Sequence, residues 1–157
     1  LLLLTLAVTP LKDWTGQPSL IALRRMLGLF AFFYVLAHFL TWLVLDQGVD
    51  WAEILKDIAK RPFITFGFAA LVLLIPLAVT STRGMMRRLG RRWQQLHRAI
   101  YGIAILGVWH YWWQVKADYR EPLIYASLIA ALLGWRLYKV RRARSWVAGK
   151  AVNTENA

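Results

Sequence analysis

The sequence predicts an all-α integral membrane helical bundle, and three features carry that prediction. Its 157 residues are 59% hydrophobic yet hold a net charge of +12. The apolar residues gather in runs, one at the very start and four more of 16–20 residues each. The basic residues lie between the runs, and their density alternates from one connection to the next. A soluble domain of this size does not segregate charge from apolar surface in this way.

The opening stretch LLLLTLAVTP has no initiating Met and begins inside an apolar run. It lacks the basic leader and small-residue cleavage site of a signal peptide. The expectation is the tail of a membrane helix whose start is missing, the first and truncated member of five spans. The next run, MLGLFAFFYVLAHFLTWLVL (26–45), has only His38 and Thr41 as clearly polar members. FITFGFAALVLLIPLAVT (63–80) carries Pro76, which a membrane helix tolerates as a kink. AIYGIAILGVWHYWWQV (99–115) and LIYASLIAALLGWRLY (123–138) complete the set. Each is about one bilayer crossing, given a hydrocarbon core of ~30 Å and a rise of ~1.5 Å per residue. Arg136, near the end of the last run, is placed to snorkel to the interface.

Fifteen of the 20 basic residues fall in segments 11–25, 81–98 and the tail from Arg136 onward. The other five fall in 46–62 and 116–122. The positive-inside rule therefore expects the first three segments in the cytoplasm, with the C-terminus, and the other two outside a plasma membrane. In the outer segment DQGVDWAEILKDIAKRP, Trp51, Ile54, Leu55 and Ile58 recur on one helical face. Asp50 followed by Glu53 predicts an N-cap with a capping box. This surface helix either closes over the bundle or docks a partner. Residues 146–157 are expected to form a disordered cytoplasmic tail after a domain spanning 1–145.

The absence of cysteine removes disulfides, iron–sulfur clusters and thiolate zinc sites. Basic residues that flank apolar runs, with no polar aromatic patches between them, speak against nucleic-acid binding. The chemistry falls to three histidines. His38 and His110 stand on two runs that head the same way, each roughly 8–10 Å below the outer boundary. His97 stands in QQLHR at the membrane edge, about 20 Å nearer the cytoplasm.

An ionisable group inside a membrane points to function. Imidazole is an axial haem ligand, and haem needs only one or two such ligands and a slot between helices. Zinc would need further ligands, and the apolar runs contain no Asp, Glu or Cys. Interhelical hydrogen bonding is the alternative use of His38 and His110, and a solvated interfacial position is that of His97. Gly28, Gly67, Gly102 and Gly107 open room for a flat macrocycle or allow close helix packing. Arg24, Arg25 and the arginines of 87–92 could face propionates while serving topology. His97 and His110 are 13 residues apart, about 220° of ideal rotation, and do not share a face. The expectation is a distortion at Gly102 and Gly107, or two separately placed cofactors. An inner site would need a second ligand from elsewhere, such as the missing N-terminus.

The stretches RRMLGLFAFFYVLAHFLTW, RPFITFG, LAVTST, RRLGRRWQQLHRAIYGIAILGVWHYWW and PLIYA resemble the MsrQ (YedZ) family. These are haem-binding membrane subunits of bacterial periplasmic methionine-sulfoxide reductase systems, within the wider ferric-reductase-like transmembrane family. The resemblance covers roughly residues 1–145. It implies six spans in the intact protein and b-type haem held by His38, His97 and His110. Within it, His38 and His110 would be axial ligands of an outer haem and His97 a ligand of an inner one. It implies FMN as a second cofactor, with electrons drawn from the quinone pool or a cytoplasmic flavin reductase. The acceptor it implies is a periplasmic molybdopterin subunit, MsrP. The chain would then be a non-catalytic electron-transfer subunit in the bacterial inner membrane, in contact with membrane lipid and no nucleic acid. No Gly-rich dinucleotide loop is present, so electrons must arrive from another molecule. The rivals are a ferric-chelate or quinone reductase of the same fold, and a haem-free membrane scaffold.

Overall fold

The computed structural model describes residues 1–116 and 118–155, with side chains described through 142 and at 145. Among these residues every regular element is helical. The order is α1 (Leu2–Thr15), α2 (Leu20–Thr41), α3 (Trp51–Lys60), α4 (Pro62–Val79), α5 (Arg83–Leu89), α6 (Arg91–His97), α7 (Ala99–Gln114) and α8 (Arg120–Glu155). α2 runs on without a break into a π-helical turn, Trp42–Asp46. Three helical segments are long and apolar enough to cross a membrane: Leu20–Asp46, Pro62–Val79 and Arg120–Arg142. α1, of 14 residues, and α7, of 16, are shorter than the roughly 20 residues of a full crossing. α8 continues through the stretch expected as a tail, and residues 156–157 of that tail lie outside the described residues.

Local chemistry sets the helix ends. Gly16 closes α1 in the left-handed conformation (φ 69°), its N–H donating to the Lys12 carbonyl. Asp50 caps α3, its carboxylate accepting from the Ala52 and Glu53 N–H groups. Pro62 occupies the first turn of α4, where its missing N–H costs nothing. At the other end of α4, the Thr80 and Ser81 hydroxyls donate to the Pro76 and Leu77 carbonyls, at 2.6 Å each. Trp93 Nε1 donates to the Thr80 carbonyl (2.9 Å) and ties α6 beneath α4.

The five longer helices close into a ring in the order α1, α2, α4, α7, α8, with α8 returning to α1. Leu6, Ala70, Leu74, Leu77, Ile100, Ile103, Ala104 and Ile129 fill its centre, and Ile103 is fully buried. Ala70 and Ala104 keep the α4–α7 contact close, as small residues do where lipid supplies no hydrophobic drive between helices. The outward side is apolar as well: Phe30, Phe33, Val72, Ile105 and Leu128 are exposed. Such a surface suits hydrocarbon and not water.

α3 forms as the expected short amphipathic helix, and its apolar face divides. Ile54 is 3% exposed and packs inward, whereas Trp51 and Leu55 are each 67% exposed. The reason is Asp57, which is buried and accepts from Gln47 Nε2 (2.9 Å) while pairing with Arg61 Nε (3.2 Å). Holding Asp57 inward turns the Trp51–Leu55 edge outward.

Candidate functional site

His38 lies in the last turn of α2, just before the π turn, and its own carbonyl accepts from the Trp42 N–H. His110 lies in the last turns of α7. Both helices belong to the same ring, and α4 stands between them. Their imidazole rings meet edge to face, with centroids 6.3 Å apart and planes inclined by 72°. The pairing expected from matched depth is therefore present in space.

His110 is held from α4. Its Nδ1 lies 2.6 Å from the Phe63 carbonyl oxygen. A carbonyl only accepts, so Nδ1 carries the proton and Nε2 is the free basic nitrogen. One turn along α4, Gly67 lies against the ring. A Cβ there would meet His110 Nδ1 at 2.8 Å and Cε1 at 2.9 Å. His38 has no side-chain hydrogen bond among the described residues. Phe39, packed at a tilt on Phe68 of α4 (5.8 Å), secures the turn beside it.

Two cavities adjoin the pair. One, of ≈ 430 Å³, is walled by His38, His110, Phe63, Gly67, Phe68, Leu71 and Ile103. The other, of ≈ 570 Å³, is bounded by His38, Tyr34, Val108, Tyr111, Tyr125 and Ile129. They share Leu2, Val35, His38, Gly107 and Tyr111. Nothing lies within 4 Å of a Cβ at Gly107 or Gly102, and Gly28 meets only Thr5 at an ordinary 3.9 Å. Gly107 thus leaves space in the cavity, and Gly67 leaves space for the His110 ring. At the cavity mouth the Tyr111 hydroxyl donates to Glu121 (2.5 Å), and its ring meets Tyr125 edge-on (5.8 Å).

This arrangement fits a metal held between two imidazoles. Two metal–nitrogen bonds of about 2.0 Å, plus roughly 1.1 Å from each nitrogen to its ring centre, separate the centroids by about 6 Å. The observed 6.3 Å agrees. Each cavity also falls within the about 300–1,000 Å³ range of cofactor sites.

His97 sits at the opposite end, the last residue of α6. Its ring stacks on Trp93 (3.9 Å, 26°) and its Nδ1 donates to the Trp93 carbonyl (3.1 Å). Its Nε2 is buried with no hydrogen-bond partner among the described residues. Burial pushes the imidazole below its ordinary value, opposed by the Trp93 and Leu77 carbonyls and aided by the Arg24 charge. An unprotonated, unpartnered nitrogen is what a metal ligand offers, and here too the residues fit the group. No second imidazole accompanies it, since the other two histidines are at the far end.

The helix between His97 and His110 is interrupted, but not where expected. α7 is regular across Gly102 and Gly107, and the break falls at Arg98. There the Arg98 N–H bonds to the Gln95 carbonyl and the Tyr101 N–H to the Arg98 carbonyl, a tighter three-residue pattern. Ideal helix phase does not carry across that point. Arg24 lies near enough to His97 to influence its charge, while Arg136 covers the Tyr101 ring (4.7 Å).

Two contributors escaped sequence reasoning. The Phe63 carbonyl is backbone and leaves no residue-type signal. Trp93 was visible in principle, four residues before His97 and therefore over it on a helix.

Residues 1–108 match the family described as ferric reductase like transmembrane component. The chain belongs to that family. Among curated proteins, the subunit named protein-methionine-sulfoxide reductase heme-binding subunit MsrQ from Xanthomonas axonopodis pv. citri is 54% identical over 151 residues, covering 96% of this chain and 69% of the relative. The like-named protein of Bordetella pertussis is 56% identical over 138 residues, covering 87% and 67%. No solved structure matches. As a member of a ferric-reductase-like transmembrane family, the chain is a membrane protein with an electron-transfer role, and haem binding is what the names of its relatives state.

Proposed function

We propose that the protein carries electrons across the bacterial inner membrane through b-type haem. His38 and His110 are the axial ligands of a haem at the outer end, and His97 is a ligand of a second haem at the inner end. The observation that carries this reading is the pair of imidazoles, 6.3 Å apart beside two cavities. Haem supplies a one-electron carrier, and ligation by two histidines leaves no open iron position for a substrate. The chain's own residues orient the ligands: Phe63 fixes the proton of His110 on Nδ1, and Trp93 does the same for His97. Apolar side chains of Phe68, Leu71, Leu74 and Ile103 line the cavity beside the pair.

In this reading α1, α2, α4, α7 and α8 all cross the membrane, the two shorter ones included, with the arginine-rich α5–α6 segment in the cytoplasm and α3 outside. Electrons enter from the quinone pool or a cytoplasmic flavin reductase, with FMN as a second cofactor by family likeness. They leave to the periplasmic reductase subunit MsrP, which repairs oxidised methionine in proteins. The like-named relatives support that assignment of the wider system.

The test is a reduced-minus-oxidised visible spectrum with haem-to-protein stoichiometry on the intact protein. Loss of the same haem in His38→Ala and His110→Ala, with a separate loss in His97→Ala, is expected. A colourless intact protein, or spectra indifferent to all three changes, overturns the reading.

A further inference from the structure

His110 is packed against α4 more tightly than any ordinary side chain could allow if position 67 bore a Cβ. The Phe63 carbonyl already belongs to the α4 backbone, one turn before Gly67. In a helix each carbonyl points toward the residue four positions on, so a Cβ at 67 would stand beside the approach to that oxygen. Without it, the imidazole lies flat enough on the helix for Nδ1 to reach the oxygen at 2.6 Å.

We infer that Gly67 and the Phe63 carbonyl form a positioning device for His110, turning its Nε2 to the metal and making it the stronger donor of the axial pair. Gly67 is a positioning residue: it touches the ligand and not the metal. A ligating histidine whose other nitrogen donates to an oxygen acceptor is fixed in tautomer and raised in basicity. His38, with no such bond among the described residues and an exposed side chain, lacks both effects. The axial pair is thus asymmetric, although both members are histidine. A more basic ligand favours the ferric over the ferrous iron, so the device lowers the potential of this haem. The inference rests on the haem reading above.

The experiment uses the intact protein in detergent, comparing wild type with Gly67→Ala, Gly102→Ala and His110→Ala. Gly102 is the control, because a Cβ there meets nothing within 4 Å. If wild type holds no haem, or His110→Ala keeps its full complement, the haem reading has failed and not this inference alone. With those two satisfied, Gly67→Ala should lower haem affinity by about 10- to 100-fold, the usual effect of disturbing a ligand's supporting hydrogen bond. In the haem that remains, the potential should rise, a tenfold change in ferric preference reading as about 59 mV. Gly102→Ala should match wild type in both. Wild-type affinity and potential in Gly67→Ala overturns the inference. Should that variant fail to accumulate, the unaltered chain decides: ¹⁵N-histidine spectra of haem-free protein, assigned with His110→Ala, should show the proton on Nδ1. A proton on Nε2 overturns it equally.

Discussion

The two ends of the ring handle imidazole in opposite ways. At one end His38 and His110 come from different helices, and a third helix, α4, supplies the hydrogen-bond acceptor. At the other end His97 takes both its stacking partner and its acceptor from Trp93, four residues earlier in the same short helix. Both arrangements protonate Nδ1 and leave Nε2 basic. The first is built by packing and gives two imidazoles beside cavities. The second is built by local sequence and gives one imidazole with no second histidine opposite. A change in interhelical packing should therefore disturb the first end and spare the second.

His110→Ala is the strongest way to break that comparison. It should abolish one haem entirely while His97 keeps its stack on Trp93, and spectra resolved by potential will show whether the second centre survives unchanged. Next comes Trp93→Ala, which removes the stack and the bond to the Thr80 carbonyl. For this partly buried side chain we expect a loss of about 2 kcal/mol, below the about 3–5 kcal/mol of a fully buried tryptophan. A melting curve measures it, and His38–His110 ligation should be untouched.

A smaller effect is expected from Asp57→Ala, which orphans Gln47 and unpairs Arg61. About 1–2 kcal/mol should be lost, with faster hydrogen exchange confined to 47–61. The smallest is a pH effect at His97. Its folded value lies below the ordinary 6.5, so the neutral form is favoured in the fold. That contribution is full above 6.5 and is lost as pH falls from there through the lower folded value. In haem-free protein the melting temperature should drop on the acid side, and His97→Gln should flatten that drop.

Much of this was legible in the sequence because membranes impose simple rules. Apolar runs located α2, α4, α7 and α8, and Asp50 gave the cap of α3. Glu53 does not close the expected capping box: its carboxylate pairs with Lys56, and the Asp50 N–H goes to the Gln47 carbonyl. Polar residues are so rare in those runs that His38 and His110 stood out, and equal depth placed them together. What escaped depended on a second helix or on backbone. The role of Gly67 lies in a ring that arrives from α7, not in α4's own pattern. The break at Arg98 is a three-residue winding change with no glycine or proline to announce it. The outward turn of Trp51 and Leu55 follows from the clamp on Asp57, which an apolar count ignores.

The ring closes where Lys139 of α8 meets Asp13 of α1 at 2.5 Å, joining the first and last helices among the described residues. During synthesis His38 emerges seventy-two positions ahead of its facing partner, and the closing helix follows later still. The cavity walls contributed by α1 and α2 must wait in the membrane for α7. In the proposed haem reading, loading at this end is a late event of assembly, and the haem staples together helices born far apart.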